Sequence, residues 1–196
     1  MKKIILTTVA ILTFGFISAQ DNKEMSFGVK GGLNVSTLAN ADGDGVSVSS
    51  LVGFHIGGFA EFMITDKFAV QPEVLYSAQG AKFDDGGDKG DWKLNYIVVP
   101  VMAKYYVMDT FSLELGPQIG FLATSDIESG GISLDVKDET KSTDVSLCFG
   151  AGYVFAENFM LGARYNVGLT QVQKNLEPGE SEIKNSVFQI SFGYKF

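Results

Sequence analysis

The sequence has a single cysteine, Cys148, and only four prolines among its 196 residues. One cysteine excludes an intramolecular disulfide, so no covalent cross-link within the chain can hold the fold together. The 23 glycines and 16 phenylalanines indicate strands joined by turns, and this mixture is not typical of a disordered chain.

Positive charge is also scarce. The chain has 15 Lys and Arg residues against 23 Asp and Glu residues, which gives a formal net charge of -8. No cluster of basic residues interrupts this acidic balance, so we exclude nucleic acid as a partner.

Long apolar runs are absent outside the N-terminal region. There, Lys2 and Lys3 precede an apolar run over residues 4–17, and small residues follow it. This order is typical of a secretory signal peptide, and the run is shorter than the roughly 20 residues that a transmembrane helix needs. We therefore predict a signal peptide over residues 1–19 and one exported domain over residues 20–196.

The rest of the chain alternates between apolar and other residues, which is the period of a strand with two different faces. Eight such segments cover residues 25–33, 52–64, 68–79, 94–107, 111–123, 145–155, 159–170 and 187–196. Three-residue connections alternate with long polar ones. We predict an all-β fold, an eight-stranded antiparallel up-and-down transmembrane β-barrel with short periplasmic turns and long extracellular loops.

Turn length tests this prediction, because opposed residues in a closed sheet point to the same face. On the outer face, the short turns set three apolar pairs opposite each other: Ile64 and Phe68, Val107 and Phe111, and Phe155 and Phe159. On the inner face, the same registers pair Glu61 with Gln71, Lys104 with Glu114, and Gly150 with Arg164.

The two faces of the predicted barrel differ in kind. Apolar residues face outward, with Tyr and Phe near both ends, whereas a soluble barrel shows the reverse. The inward set is Lys30, His55, Glu61, Gln71, Glu73, Lys104, Glu114, Gln118, Arg164, Gln189 and Lys195. Lys104 belongs inside because a lysine facing lipid costs about 2–4 kcal/mol at mid-bilayer. Pro100 then also faces inward, which predicts a bulge or local break there.

Several segments resemble a known family. They are "FGVKGGLN" on the first strand, "VQPEVLYSAQGAKF" on the third, "YIVVPVMAKYYV" on the fourth, "LELGPQIGFL" on the fifth and the terminal "FGYKF". With the signal peptide, they resemble the outer-membrane barrel proteins of the Bacteroidetes, the PorT-like or "porin family" barrel domain, with an OmpA/OmpX-like eight-stranded architecture.

The resemblance implies a location in the outer membrane of a Gram-negative envelope. PorT itself is associated with protein secretion at that membrane. The terminal Phe192, Tyr194 and Phe196 also resemble the C-terminal signal by which outer-membrane barrels are recognised for insertion, so the barrel-insertion machinery is an expected partner.

Eight strands leave an interior just wide enough for side chains. The inward charges are nearly balanced, with Lys30, Lys104, Arg164 and Lys195 against Glu61, Glu73 and Glu114. We predict a lumen plugged by salt bridges that fix the register. A narrow ion path with selectivity set by these charges is the alternative.

Catalysis has little support in the sequence. The only histidine is His55, and Glu61 or Glu73 could orient it, but no serine nucleophile is marked out by local sequence. We predict that His55 is satisfied by hydrogen bonds within the barrel and that Cys148 is a packed small residue. No catalytic residue, enzymatic activity or cofactor is expected.

The long loops hold a weak metal pattern and many acids. Asn40, Asp42 and Asp44 imitate the start of a calcium loop, but Leu51 stands where a glutamate is required, so we expect no metal site. The acidic loop residues are Asp42, Asp44, Asp84, Asp85, Asp88, Asp126, Glu128, Asp135, Asp138 and Glu139. We expect them to share divalent cations with lipopolysaccharide phosphates. Removing divalent cations should then change the mobility of the loops and the stability of the barrel.

These observations favour a monomeric, non-enzymatic barrel in contact with outer-membrane lipid and lipopolysaccharide. Its expected role is structural, or one of surface interaction through the long loops. A narrow porin-like channel or a PorT-like accessory to protein secretion is the alternative.

Overall fold

The structure is a computed structural model that describes residues 25–41, 47–84, 86–87, 89–174 and 182–196. The predicted signal peptide lies outside these residues. The described strands are β1 (Met25–Ala39), β2 (Ser47–Thr65), β3 (Phe68–Asp84), β4 (Lys89–Met108), β5 (Phe111–Ser129), β6 (Ile132–Asp135), β7 (Thr143–Phe155), β8 (Phe159–Gln171) and β9 (Lys184–Lys195).

Eight of these strands close into a barrel. β1 pairs with β2 on one side and with β9 on the other, and the ring continues through β3, β4, β5, β7 and β8 with every pair antiparallel. The predicted eight-stranded up-and-down arrangement is confirmed. The short strand β6 stands outside the ring and pairs with β5.

Within the described residues, no helix is long and apolar enough to cross a membrane.

The alternation of side chains produces two distinct faces. Leu33, Ile56, Val74, Leu115 and Leu169 point outward and are between 50% and 60% exposed. The residues between such positions are mostly polar or small, and they point into the barrel, where they are buried. An apolar exterior around a polar interior is the arrangement of a transmembrane barrel.

The registers agree with prediction inside the barrel but differ at two short turns. Lys104 pairs with Glu114 and Gly150 with Arg164, as predicted, and Phe155 pairs with Phe159. These three pairings are confirmed.

The predicted pairs Ile64–Phe68 and Val107–Phe111 are wrong. Thr65 pairs with Phe68, and Met108 pairs with Phe111, because a bulge near each turn takes one more residue into the strand. In the first turn, the Thr65 hydroxyl accepts hydrogen bonds from the amides of Lys67 (3.3 Å) and Phe68 (3.1 Å). This side-chain contact favours a two-residue turn over the predicted three-residue one.

Pro100 faces inward as predicted, and the expected bulge or local break takes the form of a break. On the β3 side, Pro72 pairs with Val101 and Leu75 with Val98, and no pairs form between them. Pro100 therefore interrupts the ladder without a bulge.

On the β5 side, the pair of Pro100 with Gln118 and the pair Ala103–Leu115 keep one register, and the irregularities of β4 lie at Asn95/Tyr96 and beyond Tyr106. The lost amide of Pro100 is therefore accommodated without a change of register.

The strands extend further beyond the long-loop end of the barrel than predicted. β3 and β4 pair as far as Asp84 and Lys89, and β5 continues to Ser129 before the hairpin to β6. These segments are polar and rich in glycine, a composition that favours loops, but cross-strand pairs such as Lys82 with Asp91 support the ladder.

Aromatic rings cluster at the short-turn end. Phe159 lies 5.9 Å from Phe155, 5.7 Å from Phe192 and 5.1 Å from Tyr194, measured between ring centroids. Phe196 continues this cluster at 5.4 Å from Tyr194. The last strand therefore contributes part of an aromatic girdle as it closes the barrel against β1.

Candidate functional site: the barrel lumen

Glu73 is the centre of the buried charges. Its carboxylate lies 2.6 Å from Lys30 Nζ and accepts two hydrogen bonds from Arg164, at 3.0 and 2.8 Å. Gln71 donates a further hydrogen bond of 2.7 Å. Glu73 is 1% exposed, so this carboxylate is compensated entirely by protein groups from β1, β3 and β8.

A second group of charges lies nearer the short-turn end. Lys104 Nζ donates to Glu61 (2.7 Å) and to the Gln71 side-chain oxygen (3.0 Å). Tyr106 Oη also donates to Glu61 at 2.7 Å, and Lys195 Nζ approaches the other carboxylate oxygen at 3.2 Å. The side chain of Lys195 is 26% exposed, so it marks the boundary between the network and solvent.

Glu114 joins the two groups. It accepts from Arg164 at 2.8 Å and lies 3.7 Å from Lys104 Nζ. Three buried cations, Lys30, Lys104 and Arg164, thus meet three buried carboxylates. A balanced chain of this kind is weak evidence for stability as such, but it fixes which strands face each other across the lumen.

An apolar layer lies above the charges, toward the long-loop end. Along β3 it begins with Leu75, two residues after Glu73, and along β4 it holds Val98, Tyr96 and Leu94, all at most 2% exposed. The buried cluster at this end comprises Leu38, Leu75, Ala81, Trp92, Leu94, Tyr96, Val98, Val136 and Val172. The sequence did not predict this layer, although both faces of β4 are apolar.

His55 makes two hydrogen bonds inside the barrel. Its Nδ1 lies 2.8 Å from Asn34 Oδ1, and its Nε2 lies 2.8 Å from Ser191 Oγ. The Asn34 amide nitrogen donates to the carbonyls of Phe54 (3.0 Å) and Ala78 (2.7 Å). Asn34 Oδ1 is therefore the acceptor, His55 carries its proton on Nδ1, and the Ser191 hydroxyl donates to Nε2.

This serine–histidine–asparagine arrangement has the connectivity of a catalytic triad, and Ser191 is a partner that local sequence did not mark out. His55 is 1% exposed and Asn34 is fully buried. The cavity beside Ser191, which Lys30 and Arg164 also line, measures about 20 Å³. That space holds about one water molecule, so an ester or amide substrate does not fit there.

The remaining residues singled out from the sequence are Cys148 and the candidate metal ligands. Cys148 is fully buried, with Sγ 3.7 Å from the side-chain oxygen of Gln118. Asn40 donates a hydrogen bond from its side chain to the Glu182 carbonyl (3.3 Å), whereas Asp42 and Asp44 lie outside the described residues. In the described part of the chain, no group of three or more His, Cys, Asp or Glu residues is arranged to hold a metal ion.

Comparison with known proteins agrees with this geometry. Residues 18–174 match the family model described as "Outer membrane protein beta-barrel domain". The chain belongs to this family. Membership of this family places the protein in the outer membrane. The predicted transmembrane barrel fold is confirmed.

Solved structures support the same fold. The Neisserial surface protein A (NspA) is 15% identical, with a TM-score of 0.58 over 88% of this chain and 99% of that one. Ail, the attachment invasion locus protein of Yersinia pestis, is 18% identical, with a TM-score of 0.50 over 88% and 99%. At these identities the likeness concerns the fold alone. No curated protein sequence matches the chain.

Proposed function

We propose that this outer-membrane barrel is a closed, non-enzymatic anchor with a structural or surface-interaction role. The main support is the packing of the lumen, in which a layer of buried charges lies below a layer of apolar side chains. The charge-balanced chain around Glu73 and Glu114 occupies the short-turn half of the interior, and the apolar layer packs among buried polar residues such as Ser77 and Gln79 in the other half. An eight-stranded barrel has no further width for a water path past such side chains.

The lumen beside Ser191 has no room for the substrate of an enzyme. The Ser191 hydroxyl and His55 are correctly oriented for proton transfer, but the adjacent cavity has room for about one water molecule. We assign these residues the role of holding β1, β2 and β9 together at the closure of the barrel.

The chemistry of the outer surface and of the long-loop end indicates the proposed partners. The apolar exterior contacts outer-membrane lipid, and the acidic long-loop end faces lipopolysaccharide, with β3–β6 extending outside the cell. Phe192, Tyr194 and Phe196 serve as the signal for the insertion machinery, and the barrel is monomeric. A Bacteroidetes origin belongs to the same proposal.

One observation favours the alternative, a narrow channel or a PorT-like accessory to secretion. A vestibule of about 560 Å³ at the short-turn end is lined by residues that include Tyr106, Asp109, Glu157 and Lys195, and it reaches Glu61 at the edge of the charged network. If the network rearranged, this vestibule would become the entrance to a pore.

Single-channel recording in planar bilayers separates the two proposals. We expect no stable conductance steps from the purified barrel, because the buried ion pairs must break before ions can pass. Heat-dependent migration on a gel serves as the control that the sample is folded. Reproducible conductance steps from a folded sample would contradict the closed-anchor proposal and favour the channel.

A further inference from the structure

The β5–β6 hairpin stands outside the closed ring. β6 pairs with β5 from Asp126–Asp135 to Ser129–Ile132. Gly130 and Gly131 form the turn with φ angles of 58° and 82°, as a two-residue type I′ hairpin requires. No other strand in the described part of the chain pairs with β6, so its second edge is unpaired.

The backbone groups on that edge belong to Ser133 and Asp135. The Val136 amide donates to the Ser125 carbonyl at 2.9 Å, which fixes the hydrogen-bonding pattern of the hairpin. Along a strand of an antiparallel pair, the backbone N–H and C=O groups of successive residues point alternately toward the partner strand and away from it. Those of Ser133 and Asp135 therefore point away from β5. An unpaired edge of this kind can pair with another chain.

One face of the hairpin exposes large apolar side chains to water. Ile132 is 74% exposed and Leu134 is 62% exposed. Leu134 lies opposite Ile127, which lies opposite the inward-facing Trp92, so these residues continue the inner face of the barrel beyond the membrane. Lipid does not account for their exposure.

The other face of the hairpin is acidic. Asp126 lies opposite Asp135, and Glu128 lies opposite Asp91. Like charges directly opposite each other are unfavourable in a sheet. Two lysines lie beside this group: Lys93 is 2.5 Å from Glu128, and Lys82 lies opposite Asp91. Neither lysine lies on β6, and Asp135 faces Asp126 there.

We infer that the β6 edge binds an extended segment of a partner protein in which apolar and basic residues alternate. The segment pairs with the backbone of Ser133 and Asp135 and extends the sheet by one strand. Its apolar residues pack beside Ile132 and Leu134, and its basic residues lie among the carboxylates. The inference rests on the proposed surface-interaction role, because it requires the hairpin to face the exterior.

The probe is a synthetic peptide of alternating valine and lysine, added to the isotope-labelled full barrel in lipid nanodiscs. We expect NMR shifts confined to β6 and the paired end of β5. Ser133→Pro removes the edge amide and should weaken binding about tenfold or more, which is the effect of roughly 1.4 kcal/mol. Ser133→Ala is the matched control, because it removes only the hydroxyl and should bind like the wild type.

A peptide of alternating valine and glutamate should bind much more weakly than the lysine peptide. Equal binding by Ser133→Pro and Ser133→Ala would overturn the inference, as would the absence of shifts at β6 or a preference for the glutamate peptide. The conductance of the same samples is measured separately. A barrel that fails to bind the peptide yet stays closed contradicts this inference alone.

Discussion

Replacing Glu73 with glutamine is expected to lower the free energy of unfolding of the barrel by about 3–5 kcal/mol. The change keeps the shape of the side chain but removes the charge that compensates Lys30 and Arg164. Arg164 keeps Glu114 as a partner. Lys30 is left as a buried cation without a paired carboxylate in the described structure, and this accounts for most of the expected loss.

Urea titration of the barrel in lipid vesicles measures the effect, with the fluorescence of Trp92, the only tryptophan, as the signal. The matched control is Glu128→Gln. Glu128 also pairs with a lysine at 2.5 Å, but both side chains are more than 40% exposed, so the expected cost is at most about 1 kcal/mol. Equal effects of the two variants would show that the Glu73 network is not sealed from water.

Replacing Lys104 with glutamate is expected to prevent the barrel from folding. The new carboxylate would lie beside Glu61 and Glu114, which now contact the Lys104 ammonium at 2.7 and 3.7 Å. Each like-charge pair costs about 4 kcal/mol at 4 Å and an effective dielectric constant of 20. The two pairs together approach the whole stability of a typical domain, about 5–15 kcal/mol.

Electrophoretic migration before and after heating detects the loss, because a folded membrane barrel usually shifts on boiling. The combination of Lys104→Glu with Glu61→Lys should recover part of the folded band, since it restores one opposite-charge contact. Lys93→Glu is the control at an exposed position and should fold. Normal folding of Lys104→Glu alone would contradict the register of β4 with β5.

The spanning strands were predictable because each carries its own pattern. Alternation over about ten residues fixes the two faces locally, and the short turns fix the registers within hairpins. This is why Lys104–Glu114 and Gly150–Arg164 were placed correctly. The two bulges were not predictable, because they depend on turn contacts such as those of the Thr65 hydroxyl.

The hairpins beyond the barrel were missed for a different reason. The segment at Ile132–Asp135 is short, and glycines and acids surround it, so local propensity favours a loop. Its pairing with β5 provides the strand geometry. The apolar layer was missed because the interior was assumed to be polar throughout. Under that assumption, the inward Leu94 and Tyr96 only make the alternation of β4 less regular.

Apart from pairs across one short turn, such as Lys104 with Glu114, the candidate site was predictable only as a set of inward residues. Which of them meet depends on how β1 closes against β9, and no short turn fixes that register. His55 and Ser191 both lie opposite Gly32, which has no side chain to separate them. The signal for this contact was therefore a glycine between two polar residues on strands that are distant in sequence.

The most direct test of a closed lumen uses the natural Cys148, which faces the interior and is fully buried. A membrane-impermeant maleimide is added to the folded barrel in nanodiscs, with a Cys148→Ser/Leu134→Cys variant as the exposed control. The closed lumen predicts that Cys148 stays unlabelled until urea unfolds the barrel, while the cysteine at position 134 reacts at once. Labelling of Cys148 in the folded barrel at the rate of that control would contradict the closed lumen.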